Sequence, residues 1–218
     1  MRLVIAAMIV LIGLGSAGPA GAGHKEAVAA RTAARQDAVD AIVVSVGGRA
    51  FKAGDYMTAV REWRPLAEQG NKYAQNLLGG MYNEGEGINQ DYEEAVKWFR
   101  KSAEQGLAQA QFGLGFMYAQ GRGVLEDDKE AVTWYFKSAA QGYVNAQYNL
   151  GVMHDQGRGV IQDWVLAHMW YNIVGANGDK VGAANREKIE KLMTSTQIAE
   201  AQKLARECMA KKYKGCGR

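Results

Sequence analysis

The residue that stands out first for chemistry is a glycine-rich stretch, GLGSAG at residues 13–18. It fits Gly-x-Gly-x-x-Gly, a turn whose glycines let the backbone approach a pyrophosphate held at a helix N-terminus. That chemistry requires a helix next, further β-α units and an acidic residue about twenty positions on. Here Pro19 and AGAG follow instead, and the run LVIAAMIVLI precedes. Arg2, the apolar residues 3–14 and the small Ala20-Gly21-Ala22 read as a basic start, apolar stretch and cut site of an export leader. The expectation is a signal peptide over 1–22, an exported (periplasmic or secreted) chain and no stable membrane span once the leader is cut. Retention as an anchor is the alternative, and the apolar run is short for it.

The other reactive side chains are sparse. The three histidines, His24, His154 and His168, form no ligand or triad constellation, and His-Glu-x-x-His, Gly-x-Ser-x-Gly and Ser-x-x-Lys are all absent. The adjacent carboxylates Glu93-Glu94 and Asp127-Asp128 stand at expected helix starts, where the helix dipole favours them. No catalytic residue, metal site or cofactor is expected. Cys208 and Cys216, in CMAKKYKGC, are the only two thiols, and two thiols in an exported chain are expected to pair. Nothing nearby in the sequence suggests a redox or metal role for them.

The elements that must position these residues come from a repeat. Residues 55–90, 91–126 and 127–162 align without a gap, and 163–178 begin a fourth copy, so the period is 36 residues. Within a unit, Ala95, Val96, Trp98, Phe99 and Ala103 fit one helical stripe, and Ala110, Leu114, Met117 and Tyr118 another. Asp91 and Asp127 suit N-caps, and Gly106, Gly142 and the Gly121-Arg122-Gly123 turn suit helix ends. Neither helix can bury its stripe alone, so the expected fold is all-α: an α-solenoid of stacked antiparallel helix pairs. Gly79, Gly115 and Gly151 recur inside the second helix, where glycine costs about 1 kcal/mol against alanine, so close helix contact is expected there. The divisions are a signal peptide at 1–22, an N-terminal capping helix region at 23–54, repeats over 55–178 and C-terminal capping helices over 179–218. His154 replaces Tyr82 and Tyr118, and His168 replaces Val96 and Val132, which assigns both to packing.

Loss of the leader leaves 196 of 218 residues, and loss of Arg2 takes the net charge from +3 to +2. Such a balance does not point to nucleic acid. Residues 203–218 carry Lys203, Arg206, Lys211, Lys212, Lys214 and Arg218 against Glu207 alone, read as a solvated helix end.

The unit AxAQxxLGxMYxxGxGV followed by DxxxAVxWxxKSAxQG resembles the Sel-one-like repeat family, relatives of tetratricopeptide repeats. FKAGDYMTAVREWRPLAEQG, with Pro65, resembles the opening repeat of exported bacterial members, and LMTSTQIAEAQKLARE their closing helix. Ser195 stands where the closing helix usually starts with proline, although Thr194 and Gln197 still read as a capping box. The resemblance implies that the second helix of each unit lines the concave face, and that the cysteine pair bridges a helix junction as in cysteine-rich relatives. Some of those relatives have been linked to penicillin binding and hydrolysis, so a cell-envelope enzyme or glycan-binding accessory is the alternative to a non-catalytic interaction scaffold. No activated serine supports the enzyme.

Differences between copies then point to the binding face. Tyr73, Asn76, Gly80 and Asn83 become Gln109, Phe112, Phe116 and Ala119, then Asn145, Tyr148, Val152 and Asp155, at spacings that keep each set on one helix face. The expected partner-binding residues are Tyr73, Asn76, Gln109, Phe112, Phe116, Asn145, Tyr148, Val152 and Asp155. An aromatic and amide-rich surface of this kind suits a protein or peptide partner. Packing against the neighbouring unit is the competing role for Phe112 and Tyr148.

Overall fold

The computed structural model describes residues 47–217. The expected leader with GLGSAG, His24 and most of the 23–54 segment lie outside the described residues. After a helical turn at residues 47–52, nine helices follow among the described residues: α1 (Tyr56–Glu68), α2 (Lys72–Glu84), α3 (Tyr92–Glu104), α4 (Ala108–Gln120), α5 (Asp128–Ala139), α6 (Val144–Gln156), α7 (Trp164–Ala176), α8 (Lys180–Glu190) and α9 (Ser195–Ala210). There is no strand among them.

Each repeat starts its first helix in the same way. Asp55, Asp91, Asp127 and Asp163 accept a hydrogen bond from the backbone N–H of the first turn, at 3.1, 3.0, 3.0 and 3.0 Å from the third residue on. Gly121 adopts φ 61° and Gly123 φ 68°, so the GRG turn uses the left-handed backbone that only glycine takes cheaply. Before α9, Thr194 and Gln197 form the expected capping box.

Successive helices pack on one another from α1 to α8, while α9 passes over α8 and docks on α7. The stripes predicted from the sequence are the core: Ala95, Val96, Trp98, Phe99 and Ala103 are buried, as are Ala110, Leu114 and Met117, with Tyr118 half-buried. Leu78, Leu114 and Leu150 hold equivalent places and are each 0% exposed, contributing about 1.5–3 kcal/mol apiece. The internal glycine has the expected cause. A Cβ at Gly115 would stand 2.8 Å from the ring of Tyr135, and at Gly79 and Gly151 it would stand 2.7 Å from the rings of Phe99 and Tyr171. Each unit thus seats an aromatic ring of the next directly on the backbone of its second helix.

Polar bonds repeat with the same period. Ser102 Oγ donates to the Lys72 carbonyl at 2.7 Å and Ser138 Oγ to that of Ala108 at 2.8 Å. Buried Gln75, Gln111 and Gln147 each donate to a carbonyl at the end of the preceding helix, those of Ala67, Ala103 and Ala139. Gln105 and Gln141 then donate across the joint to the side-chain oxygens of Gln75 and Gln111, at 2.7 and 2.8 Å. Cys208, in the last turn of α9, is disulfide-bonded to Cys216 in the turns that follow.

Candidate functional site

The second helices α2, α4 and α6 carry the residues that differ between copies, and α2 touches α4 directly as well as its sequence neighbours. Their variable side chains separate into exposed, half-buried and inward groups. Gln109 and Asn145 are exposed, and Tyr73, Asn76, Phe112, Phe116, Tyr148, Val152 and Asp155 are half-buried. Asn83 and Ala119, at the last position of the stripe, are buried, so that position turns into the stack in the first two units.

The aromatic residues differ in what holds them. Phe112 lies 5.8 Å from the ring of Tyr135 and 5.3 Å from that of Tyr143, so it packs across the joint to the next unit. The Tyr148 ring lies 5.8 Å from that of Tyr171, and its hydroxyl accepts a hydrogen bond from Asn185 of α8 at 2.9 Å. Phe116 has one face under the Arg122 guanidinium, 5.2 Å from the ring centre, and its inner edge against the core. The same guanidinium lies 5.3 Å from the ring of Tyr92. The ammonium of Lys72 stands 5.2 Å over the ring of Tyr73.

Between the second and third units Phe116, Val152, Tyr135, Asn149 and Arg158 help to line a cavity of about 160 Å³. Burial pushes the Tyr135 phenol up to about 12, against the opposing pull of an Asn149 hydrogen bond and of Arg158. Arg158 bonds both oxygens of Asp128, at 3.1 and 2.7 Å, and the carbonyl of Ala119 at 3.1 Å. Burial also raises the Asp155 carboxyl and the Tyr171 phenol. Between the first and second units lies a larger cavity, of about 260 Å³, which includes Asn76 and Gly80 in its lining.

Sequence reasoning named Phe116, Val152 and Asn76 but missed the residues that carry charge beside them: Glu86, Arg122 and Arg158. The three occupy the same repeat position, in the turn whose flanking glycines set its backbone, and the change of sign from Glu to Arg is visible there in the sequence.

The two described histidines lie inside the stack. His168 is 0% exposed with Nε2 2.8 Å from Glu190 Oε1. His154 is 4% exposed, and its ring meets that of Phe136 edge-on at 6.3 Å. No group of three or more His, Cys, Asp or Glu residues suited to a metal ion occurs among the described residues. No described helix is long and apolar enough to cross a membrane.

A family model described as Sel1 repeat matches residues 72–107, 108–143 and 144–179. Among solved structures, the chain is similar to a Sel1 repeat protein from Oxalobacter formigenes, at 29% identity and a TM-score of 0.65, over 76% of this chain and 75% of that one. It is also similar to c5321, described as a protective antigen of uropathogenic Escherichia coli strains with an SLR fold, at 32% identity and a TM-score of 0.69. That likeness covers 81% of this chain but only 40% of the longer antigen. No curated protein matches the chain.

Proposed function

The chain belongs to the Sel1 repeat family through its three tandem units, and from that premise we propose that it is an exported, non-catalytic scaffold holding a protein or peptide partner along its second helices. Sel1 repeats commonly mediate protein–protein interaction. The observation that carries the reading for this chain is the division of labour on α2, α4 and α6. Positions that repeat unchanged, such as Leu78, Leu114 and Leu150, are buried, while most positions that vary reach the surface. An enzyme would need a matched acid and base open to substrate. Here the His168 ring is fully buried behind Glu190, whose own side chain is partly exposed, and His154 is enclosed as well. The leader-like pattern of residues 1–22, the Cys208–Cys216 bridge and the likeness to a protective antigen all support export.

Phe116→Ala tests the reading. The ring is half-buried, so its removal costs less stability than Leu114→Ala, for which about 2–5 kcal/mol is expected from a fully buried site. Crosslinked pull-downs from the envelope fraction should recover the partner with wild type and lose it with Phe116→Ala, per folded molecule. Unchanged recovery, together with a stability loss as large as that of Leu114→Ala, would reduce Phe116 to a packing residue and sink the assignment.

A further inference from the structure

The groove changes character at its first unit. Four positions differ there together: Asn76 and Gly80 stand where the later units hold Phe112 and Phe116, then Tyr148 and Val152. Glu84 and Glu86 stand where those units hold Gln120 and Arg122, then Gln156 and Arg158. The small residues open space and the acids reverse its charge.

All four residues line the cavity of about 260 Å³. A Cβ on Gly80 would meet nothing within 4 Å, so the space over this helix is open to an incoming group. The half-buried ring of Phe51 lines it, together with the edges of the buried Trp63 and Phe99 rings. Glu84 is exposed and Glu86 half-exposed, and neither carboxylate has a cationic partner among the described residues. Glu84 Oε1 accepts only a neutral bond, from Asn83 at 2.5 Å.

Aromatic walls with two unpaired carboxylates match one kind of side chain. A guanidinium stacks flat on rings and forks its donors onto carboxylates, and it sheds water more readily than an ammonium. An apolar side chain would fill the space and leave both acids unanswered. We propose that this cavity seats an arginine side chain of the partner. The inference rests on the groove reading and deepens it: the seat fixes one end of the bound segment at the first unit. One unit along, Arg122 carries the opposite charge, so a second basic residue is disfavoured there and an orientation follows.

The test uses the full chain and a capped Gly-Gly-Arg-Gly-Gly peptide, with citrulline and leucine peptides as isosteric and apolar controls, followed by amide shifts in two-dimensional NMR. Saturable shifts should centre on Leu77, Gly80 and Glu84, with the arginine peptide binding about tenfold more tightly than the citrulline one. Gly80→Phe places in the cavity the residue that the next unit carries, and should abolish binding without lowering thermal stability. Glu84→Gln with Glu86→Gln should keep the fold and bring the arginine peptide down to the citrulline level. Equal binding of the three peptides, shifts centred elsewhere, no saturable shift, or wild-type binding by Gly80→Phe would each overturn the proposal. If it fails while Phe116→Ala still abolishes partner recovery, the groove stands and only the arginine seat is lost.

Discussion

His154 and Phe136 replace a tyrosine–arginine pair that the earlier units keep. Arg64 donates to the Tyr82 hydroxyl at 3.0 Å and Arg100 to that of Tyr118 at 2.6 Å. In the third unit both partners change, and the Phe136 ring meets His154 at 6.3 Å and Trp170 at 6.2 Å instead. Burial holds the His154 imidazole below its ordinary value of 6.5, against the opposing charge of Asp163, and neither ring nitrogen has a hydrogen-bond partner. The sign follows from which state takes the proton. As pH falls below about 6.5 the unfolded chain gains a proton on this histidine while the folded chain resists it, so stability present at neutral pH is lost on acidification. Thermal unfolding at pH 8, 6.5 and 5 should show wild type losing more stability than His154→Tyr. Equal losses would remove the histidine from the account. The sequence placed His154 and His168 at packing positions, and both are buried. It gave no sign of the Glu190 partner of His168, because the last two helices leave the 36-residue period and no copy shows what faces them.

The helix that closes the array is held by more than its own stripe. α9 docks on α7, and the turns after it bring Tyr213 beneath Gly142, where a Cβ would lie 3.1 Å from the ring. Lys212 and Tyr213 take φ of 50° and 66°, a left-handed backbone that non-glycine residues adopt at a cost. The Cys208–Cys216 bridge spans these residues and keeps the tail turned back towards Trp170, whose indole nitrogen would lie 3.0 Å from a Cβ on Gly217. A Cys208→Ala/Cys216→Ala variant should lose about 2–3 kcal/mol of stability. Its Trp170 fluorescence should become more open to quenchers while helical content falls by no more than the α9 region. A collapse of helicity across the whole chain would show that the bridge supports more than the tail. The pairing was legible from two thiols alone; the docking of α9 past α8 was not, since it depends on contacts outside the repeat.

Along the repeats the main contacts of each unit are with its neighbours, so coupling depends largely on the joints. Two joints carry an amide pair, Gln75 with Gln105 and Gln111 with Gln141. At the third the equivalent residues are Gln147 and Asn177, and the buried Gln147 Oε1 is without a hydrogen-bond partner. Asparagine is one methylene shorter than the glutamine used at the other two joints. Asn177→Gln should therefore restore the bond and raise stability by about 1 kcal/mol, with slower amide exchange in α6 and α7. A neutral or destabilising result would show that length is not what the joint lacks. The period made the fold legible, since a stripe that repeats must find its partner in the next copy. The proposed binding face is only half legible: Phe112 and Tyr148 sit at positions that serve both packing and exposure, and Glu86, Arg122 and Arg158 stand in a turn whose pattern the glycines dominate. The identity of the joints reaches beyond stability. Ser102 and Ser138 reach back the same 30 residues, and the rings of Phe99 and Tyr135 seat on equivalent glycines. Excising residues 91–126 in frame would join faces that already fit, Tyr135 coming to rest on Gly79. In genetic terms, unequal recombination would lengthen or shorten the array in whole modules without remaking a joint, while point substitutions would alter its variable surface positions one at a time.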